Sequence, residues 1–362
     1  MTGQSVHSRA GHGGWMSKKL RVGIAGAGWP GQAHLRGFAA AGGFEVVAVA
    51  DLIPERRKRL LAEAGPGARE IATADELVAD PSVDVLSLCL PTHLHAGVAL
   101  AALKAGKHVV LETPPTLNSK EARQIERAAD RAGKVVIVGL QRRFGGPEQA
   151  SRQAISKGYA GTIQHIRAAW TRTRATPLGT GWYTDRALAG GGALTDLGIH
   201  MLDLAWFLLD HPKPTSVYAV SHQRFHALVP EHVRHDVEDA AFALVKFENG
   251  ATLELAATWA INQPPSQNGT LCRVHGDAGA IDVYTPSGAQ LWRGFDSDKP
   301  AKSTALPPPK LVGHAAMMRH LRACIEGRAQ PVPGVRQARG LMSVLEALQR
   351  SAATGKSVDV RE

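Results

Sequence analysis

The sequence predicts an α/β protein: a doubly wound parallel sheet in its first part, followed by an α+β domain with a mainly antiparallel, open-faced sheet. Short apolar runs that do not alternate recur between residues 21 and 140, with helical stretches between them. Strands of that kind are buried on both faces and are joined by crossover helices. A glycine-rich turn, Gly26-Ala27-Gly28-Trp29-Pro30-Gly31, follows the first run and opens a helix. After Gln141 the texture changes to alternating strands, with Asn249-Gly250 between two of them as a hairpin signal.

The elements follow in order. Residues 22–25, 46–50, 85–90, 109–111 and 135–138 are the buried strands of the first sheet. Asn118 and Glu121 stand at capping-box spacing and start a helix that stops near Gly133. In the second part a strand is expected over 163–172, and Gly190-Gly191-Gly192 opens an apolar helix over 193–209. Strands over 216–221, 240–247 and 252–259 come next, then a second hairpin around Gly276-Asp277-Ala278-Gly279. Residues 299–309, with four prolines, are expected to be loop, and helices over 313–326 and 335–353 close the chain. The 362 residues are expected to divide into a disordered tail over 1–20, a first domain over 21–143 and a second over 144–362.

Composition excludes several functions. Hydrophobic residues make up 44% and no run approaches the roughly 18 apolar residues of a membrane span. The formal charge of +10 is spread, with acids between the bases as in Glu55-Arg56-Arg57-Lys58-Arg59, so no clustered face for nucleic acid emerges. Cys89, Cys272 and Cys324 are far apart, without zinc or disulfide spacing, and point to a reducing compartment. The first fifteen residues lack an apolar core or twin arginine, so no export signal is read and a cytoplasmic location is expected; Met16 is a candidate start.

The glycine turn has the context that its chemistry requires. Its glycines let the backbone approach a pyrophosphate, which then sits on the positive end of a helix, here flanked by Trp29 and Pro30. Asp51 ends the second strand, twenty residues past Gly31, where a carboxylate accepts hydrogen bonds from the adenosine ribose. A strand-end turn residue is the plain alternative; motif, strand and acid in register favour a nucleotide. Asp51 repels a 2′-phosphate, which favours NAD, while Arg56 and Arg57 leave NADP open. With this turn the first sheet is of the Rossmann type.

Three further segments stand in order: Leu90-Pro91-Thr92-His93-Leu94-His95, the stretch from Gly106 to Glu112-Thr113-Pro114, and the stretch from Gly190 through Asp196 to His200. Together with the glycine turn they make the chain resemble the Gfo/Idh/MocA family of glucose-fructose oxidoreductase and inositol dehydrogenase. The resemblance implies a sugar or polyol substrate and a homodimer or homotetramer formed through the open sheet face. It implies that Leu90, Pro91, Thr92 and His95 lie on the cofactor, Glu112 near the nicotinamide ribose and Gln141 between cofactor and substrate. Asp196 and His200 would be the polar pair facing the substrate.

The chemistry of that pair agrees. Residues four apart on a helix share a face, and an imidazole with an ordinary pKa of about 6.5 can take a hydroxyl proton while hydride leaves the same carbon. A helix cap and a core histidine are the plain alternatives, and the preceding glycine run favours function. One departure stands out: the family carries Glu-Lys-Pro where this chain has Glu112-Thr113-Pro114. A threonine hydroxyl does not ionise near neutrality and can only share hydrogen bonds. Either His200 is the sole acid/base, with Asp196 charging it and Thr113 touching the reacting hydroxyl, or the protein uses its nucleotide otherwise. An NAD-recycling glycosidase or lyase without net redox change is one such alternative; a non-catalytic binding protein is another.

Trp170, Arg172 and Trp182 flank the loop before the glycine run and suit a sugar face, with structural packing equally open. His222, His226, His232 and His235 fall in an expected loop without ligand spacing, so no metal is expected. Asp236, Glu238 and Asp239 are expected to set that loop.

Overall fold

The computed structural model describes residues 18–177, 181–296 and 298–361. Most of the tail expected over 1–20 lies outside the described residues, and Leu20 already belongs to the first strand.

The first half alternates strand and helix: β1 (Leu20–Ala25), α1 (Trp29–Ala41), β2 (Phe44–Ala50), α2 (Pro54–Ala64), β3 (Arg69–Ile71), α3 (Ala74–Ala79), β4 (Val85–Leu88), α4 (Thr92–Lys104), β5 (His108–Leu111), α5 (Ser119–Ala132) and β6 (Val136–Val138). The strands form one parallel sheet in the order β3-β2-β1-β4-β5-β6. Order reverses between β1 and β4, and ligands of such sheets bind at that point, beyond the carboxyl ends of the strands. β3 was not expected. It is an edge strand of three residues with none fully buried, paired with β2, so no apolar run announces it. The capping box is present: Asn118 accepts the Glu121 amide at 2.9 Å, and Glu121 accepts the Leu117 amide at 3.0 Å.

The second half contains α6 (Gly146–Ser156), β7 (Ile163–Thr171), α7 (Arg186–Ala189), α8 (Ile199–Leu208), β8 (Pro214–His222), β9 (Ala240–Phe247), β10 (Thr252–Thr258), β11 (Gly269–Gly276), β12 (Ala280–Thr285), β13 (Gly288–Arg293), β14 (Lys302–Ala305), α9 (Gly313–Ile325), α10 (Val335–Thr354) and β15 (Val358–Asp359). Its nine strands run β14-β13-β12-β11-β7-β10-β9-β8-β15, antiparallel except for β7 beside β10. β14 corrects the loop expected over 299–309. Its four residues are all exposed and pair at the sheet edge with β13, so they carry no hydrophobic signal.

The helix expected over 193–209 is also two pieces: Leu194–Gly198 is a π-helical turn, and α8 continues from it. Gly198 packs so tightly there that an added Cβ would lie 3.0 Å from Leu194 and 3.3 Å from Ala257.

α8 and α10 cover one face of the nine-stranded sheet, burying Met201, Leu204, Leu341 and Leu345 against Val245 and Leu255. α9 returns to the first sheet, where Met317, Met318 and Leu321 join Val22, Ile24 and Phe38. Each such side chain contributes roughly 1.5–3 kcal/mol by leaving water, so the end of the chain is firmly attached to its beginning. α1 and α9 approach closely at Gly37, where a Cβ would come within 2.8 Å of His314.

Candidate active site

At the switch point the glycine turn meets the end of β4. A Cβ on Gly26 (φ 97°) would fall 2.1 Å from the Cys89 carbonyl oxygen, and one on Gly31 would fall 2.1 Å from that of Gly26. Both positions require glycine for close approach. Gly28 caps α1 without a side-chain hydrogen bond, and no acid stands in the first turn, so the helix end is open to an anion. Trp29 and Pro30 form that first turn, with Trp29 69% exposed.

Asp51 ties the turn to β2: Oδ2 accepts the Ala27 amide at 2.8 Å and Oδ1 accepts the Ile53 amide at 2.9 Å. Arg57 donates to Glu70 at 2.8 Å and to the Asp51 carbonyl, beside the candidate ribose acid.

On the facing loop, Leu90 and Pro91 lead into α4, and Thr92 is fully buried in its first turn. His95 differs from the role the resemblance implies: its buried ring lies between two loops, with nitrogens 2.9 Å from the Pro114 carbonyl and 2.7 Å from the Leu90 carbonyl, and, because burial lowers its pKa, the neutral ring donates its one N–H to one of them.

β5 ends in Glu112, whose two oxygens are both engaged within the protein. Oε1 lies 2.8 Å from His34 Nε2, and Oε2 accepts the Thr113 amide at 2.8 Å. Burial disfavours the ionised carboxyl, but His34 and the Thr113 amide outweigh it and hold Glu112 below the usual carboxylate range. Burial likewise pushes His34 down, yet Cys89 and Glu112 more than compensate and raise it. These groups form a buried ion pair beneath the site.

Thr113 Oγ1 lies 3.3 Å from His200 Nε2, which brings the residue at the family lysine position onto the candidate base. The Trp170 ring stands 5.7 Å from that of His200, with the Arg142 and Arg172 guanidiniums 4.2 and 5.1 Å from the Trp170 centroid. Burial, then the charge of Arg142, pushes His200 down to about 4, so its ring is neutral at pH 7.

Trp259 Nε1 donates to Asp196 Oδ2 at 2.8 Å, and Asp196 stands in the π turn that leads into the helix of His200. Burial raises the Asp196 pKa, opposed by that hydrogen bond. Trp182 stacks on Tyr183 at 3.8 Å; burial, then Asp196 and Glu112, raises the pKa of the Tyr183 hydroxyl.

The helix carrying His200 is anchored from below. Arg143, in the short turn containing Gln141, donates through Nε to buried Asp203 of α8 at 2.8 Å. Glu238 Oε1 accepts the amides of Gly192 and Leu194 at 2.9 and 3.1 Å, fixing the start of the π turn and not the histidine loop, whereas Asp239 Oδ2 accepts the Arg224 and Phe225 amides of that loop, both at 2.8 Å.

Sequence reasoning missed Arg142, Tyr183, Trp259, His34 and His314. Arg142 and Tyr183 adjoin assigned residues and could have been found by adjacency; the others approach the site only through the fold. Among the described residues, His34, Glu112 and His314 place one potential metal-ligand atom each within 4.8 Å, and none of the four loop histidines belongs to that group. Thr92 Oγ1, Gln141 Oε1 and His200 Nδ1 are buried and meet no hydrogen-bond partner among the described residues, which suits a site that takes ligands.

Residues 20–140 match the oxidoreductase family with an NAD-binding Rossmann fold, and residues 149–282 match the GFO/IDH/MocA C-terminal domain. The chain belongs to the Gfo/Idh/MocA family. It is 30% identical over 359 residues to the D-glucoside 3-dehydrogenase of Escherichia coli strain K12, covering 95% of this chain and 98% of that protein. It is 28% identical over 345 residues to the 1,5-anhydro-D-fructose reductase of Ensifer adhaerens, covering 94% and 98%. The crystal structure of GenD2 from gentamicin A biosynthesis in complex with NAD superposes with a TM-score of 0.78 at 26% identity, over 99% of this chain and all of that one. The cofactor of this Gfo/Idh/MocA member is NAD, bound by the six-stranded domain. The glycine turn, the open end of α1 and Asp51 fit it. Among the described residues no helix is long and apolar enough to cross a membrane.

Proposed function

We propose that this protein is an NAD-dependent dehydrogenase or reductase that moves hydride between the nicotinamide and a hydroxyl-bearing carbon of a sugar or polyol, with His200 as acid/base. The observation that carries the reading is the state of His200: a buried, neutral imidazole on Thr113, with Nδ1 lacking any partner among the described residues. Its relatives named above are a sugar dehydrogenase and a sugar reductase.

Bound NAD supplies the hydride acceptor or donor. His200 takes the proton from the same hydroxyl, or returns it. Trp170 offers an apolar ring to a sugar face, while Arg142 and Arg172 beside it hold the imidazole neutral and so ready to accept. Asp196, buried on Trp259, shapes the substrate side. Asp51 at the end of β2 favours NAD over NADP. Thr113 holds the other side of the His200 ring at Nε2, and Trp182, Arg172 and Gln141 complete the cleft.

Self-association follows the same reading. Tyr218 and Leu244 face one another on β8 and β9 and are 46% and 44% exposed, with Val220 beside them on the uncovered sheet face. A homodimer or homotetramer in the cytoplasm is the expected form.

The test is a panel of glucosides, anhydrosugars, aldoses and inositols with NAD, read by NADH absorbance and by release of any aglycone. NADH formation with a ketone product supports the reading; aglycone release without NADH replaces it with a recycling glycosidase.

A further inference from the structure

His34 is fully buried on α1, and no step above uses it. Its ring joins two strands: Nδ1 lies 2.7 Å from Ser87 Oγ at β4, and Nε2 lies 2.8 Å from Glu112 Oε1 after β5. Glu112 Oε2 lies 2.8 Å from the Thr113 amide and 3.4 Å from the Thr113 hydroxyl, which in turn lies 3.3 Å from His200 Nε2. Four side chains therefore form one hydrogen-bonded line from the middle of the first domain to the candidate base.

The line has a direction because a threonine hydroxyl carries one proton. If the hydroxyl donates to His200 Nε2, the ring proton must sit on Nδ1 and the free nitrogen is spent on Thr113. If it donates to Glu112, its lone pairs face His200, Nε2 carries the proton, and Nδ1 is left as the basic nitrogen. A charged acceptor forms the stronger hydrogen bond, roughly twice that of a neutral one. Glu112 is ionised and paired, so the second arrangement prevails.

We propose that Glu112 and Thr113 lock His200 in the tautomer whose Nδ1 accepts the substrate proton, and that His34 is the positioning residue that keeps Glu112 charged and in place. The proposal rests on the reading of His200 as acid/base. A carboxylate plays this part toward the histidine of a serine-protease triad; here one hydroxyl stands between them. Threonine at the lysine position then transfers no proton of its own to the product.

The surroundings agree. Cys89 Sγ lies 3.5 Å from His34 Nδ1, and the ring of His314 on α9 lies 5.6 Å from that of His34. Around His200 the acting charges are Arg142, Arg172, His314 and Glu112, and Glu112 alone favours a proton on the ring.

The test is nitrogen NMR of the full-length protein labelled with 15N at histidine, in the presence of NAD, with His200 assigned by its loss in His200→Gln. The wild type should show protonated Nε2 and bare Nδ1. Thr113→Val and Glu112→Gln should move His200 toward the opposite tautomer or a mixture, and Thr113→Ser should restore the wild-type pattern. His34→Gln should act like Glu112→Gln; Thr113→Val carries the test if that buried variant does not fold. With a turned-over sugar, Thr113→Val should lower kcat on the order of 10²-fold with little change in KM. A wild-type ring protonated at Nδ1, or an unchanged tautomer in Thr113→Val, overturns the proposal. Full turnover by His200→Ala would instead remove the acid/base reading while leaving the tautomer measurement standing.

Discussion

Trp259 Nε1 donates to Asp196 Oδ2 across 2.8 Å, tying the end of β10 to the π turn that leads into the helix of His200. The indole sits at the end of β10, fully buried, and satisfies a carboxylate that has little water around it. Removing the donor by Trp259→Phe leaves a buried acid short of a hydrogen bond, at a cost of about 1–3 kcal/mol. Denaturant unfolding should show that loss, and Asp196→Asn in the same background should recover part of it, since an amide is cheaper to leave unpaired. Equal stability of wild type and Trp259→Phe would mean the contact is not formed in solution.

Asp51 serves the turn, and the proposed function gives it the ribose as well. Asp51→Ala releases the Ala27 and Ile53 amides and removes the acceptor for the ribose hydroxyls. NAD affinity should fall by about tenfold or more, the equivalent of roughly 1.5–3 kcal/mol for a hydrogen bond to a charged group, and the preference over NADP should narrow. Calorimetric titration with both nucleotides checks this, and an unchanged preference counts against the ribose role.

Arg143 and Asp203 form an ion pair with side chains 2% and 1% exposed between the Gln141 turn and α8. Breaking such a pair from one side strands a charge, which typically costs about 3–5 kcal/mol. Arg143→Leu should unfold at much lower denaturant than Arg143→Leu with Asp203→Leu. If the single variant is as stable as the double, the pair does not anchor α8.

The pH dependence follows from the buried histidines. Burial, followed by the charges of Arg142, Arg143 and His34 respectively, holds His200, His211 and His314 down to about 4. Between that value and the ordinary 6.5 the unfolded chain binds more protons than the folded one, so stability is lost as pH falls through this window. His34, raised by its partners, acts oppositely: its contribution is complete below about 6.5 and fades as pH rises toward its elevated pKa. Chemical denaturation at pH 4.5 and 7 should differ by at least about 2 kcal/mol in favour of pH 7. In the oxidative direction the acid limb of activity should lie well below 6.5. Arg172→Gln, which removes a charge that lowers His200, should move it upward.

Much of this site could be read in the sequence, within limits that physics sets. β1, β4 and β5 are buried on both faces and announce themselves as apolar runs; β3, β14 and β15 lie at sheet edges, where exposure leaves polar residues and no pattern. The spacing of Asp196 and His200 was legible, but their partners were not. The indole that holds Asp196 comes from 63 residues away, and the tight packing at Gly198 in the π turn involves Ala257 from β10. His34 is 78 residues from Glu112 and had no local signal at all; only the folded sheet brings α1 over the end of β5.

The most direct test of the account compares wild type with His200→Ala in one turnover of an accepted sugar by NAD-loaded protein, with NAD affinity measured on the same samples. The account predicts NADH formation in the wild type and a rate lower on the order of 10²-fold or more in the variant, at nearly equal NAD affinity. Equal rates would contradict it, and His200 would then not be the acid/base of this enzyme.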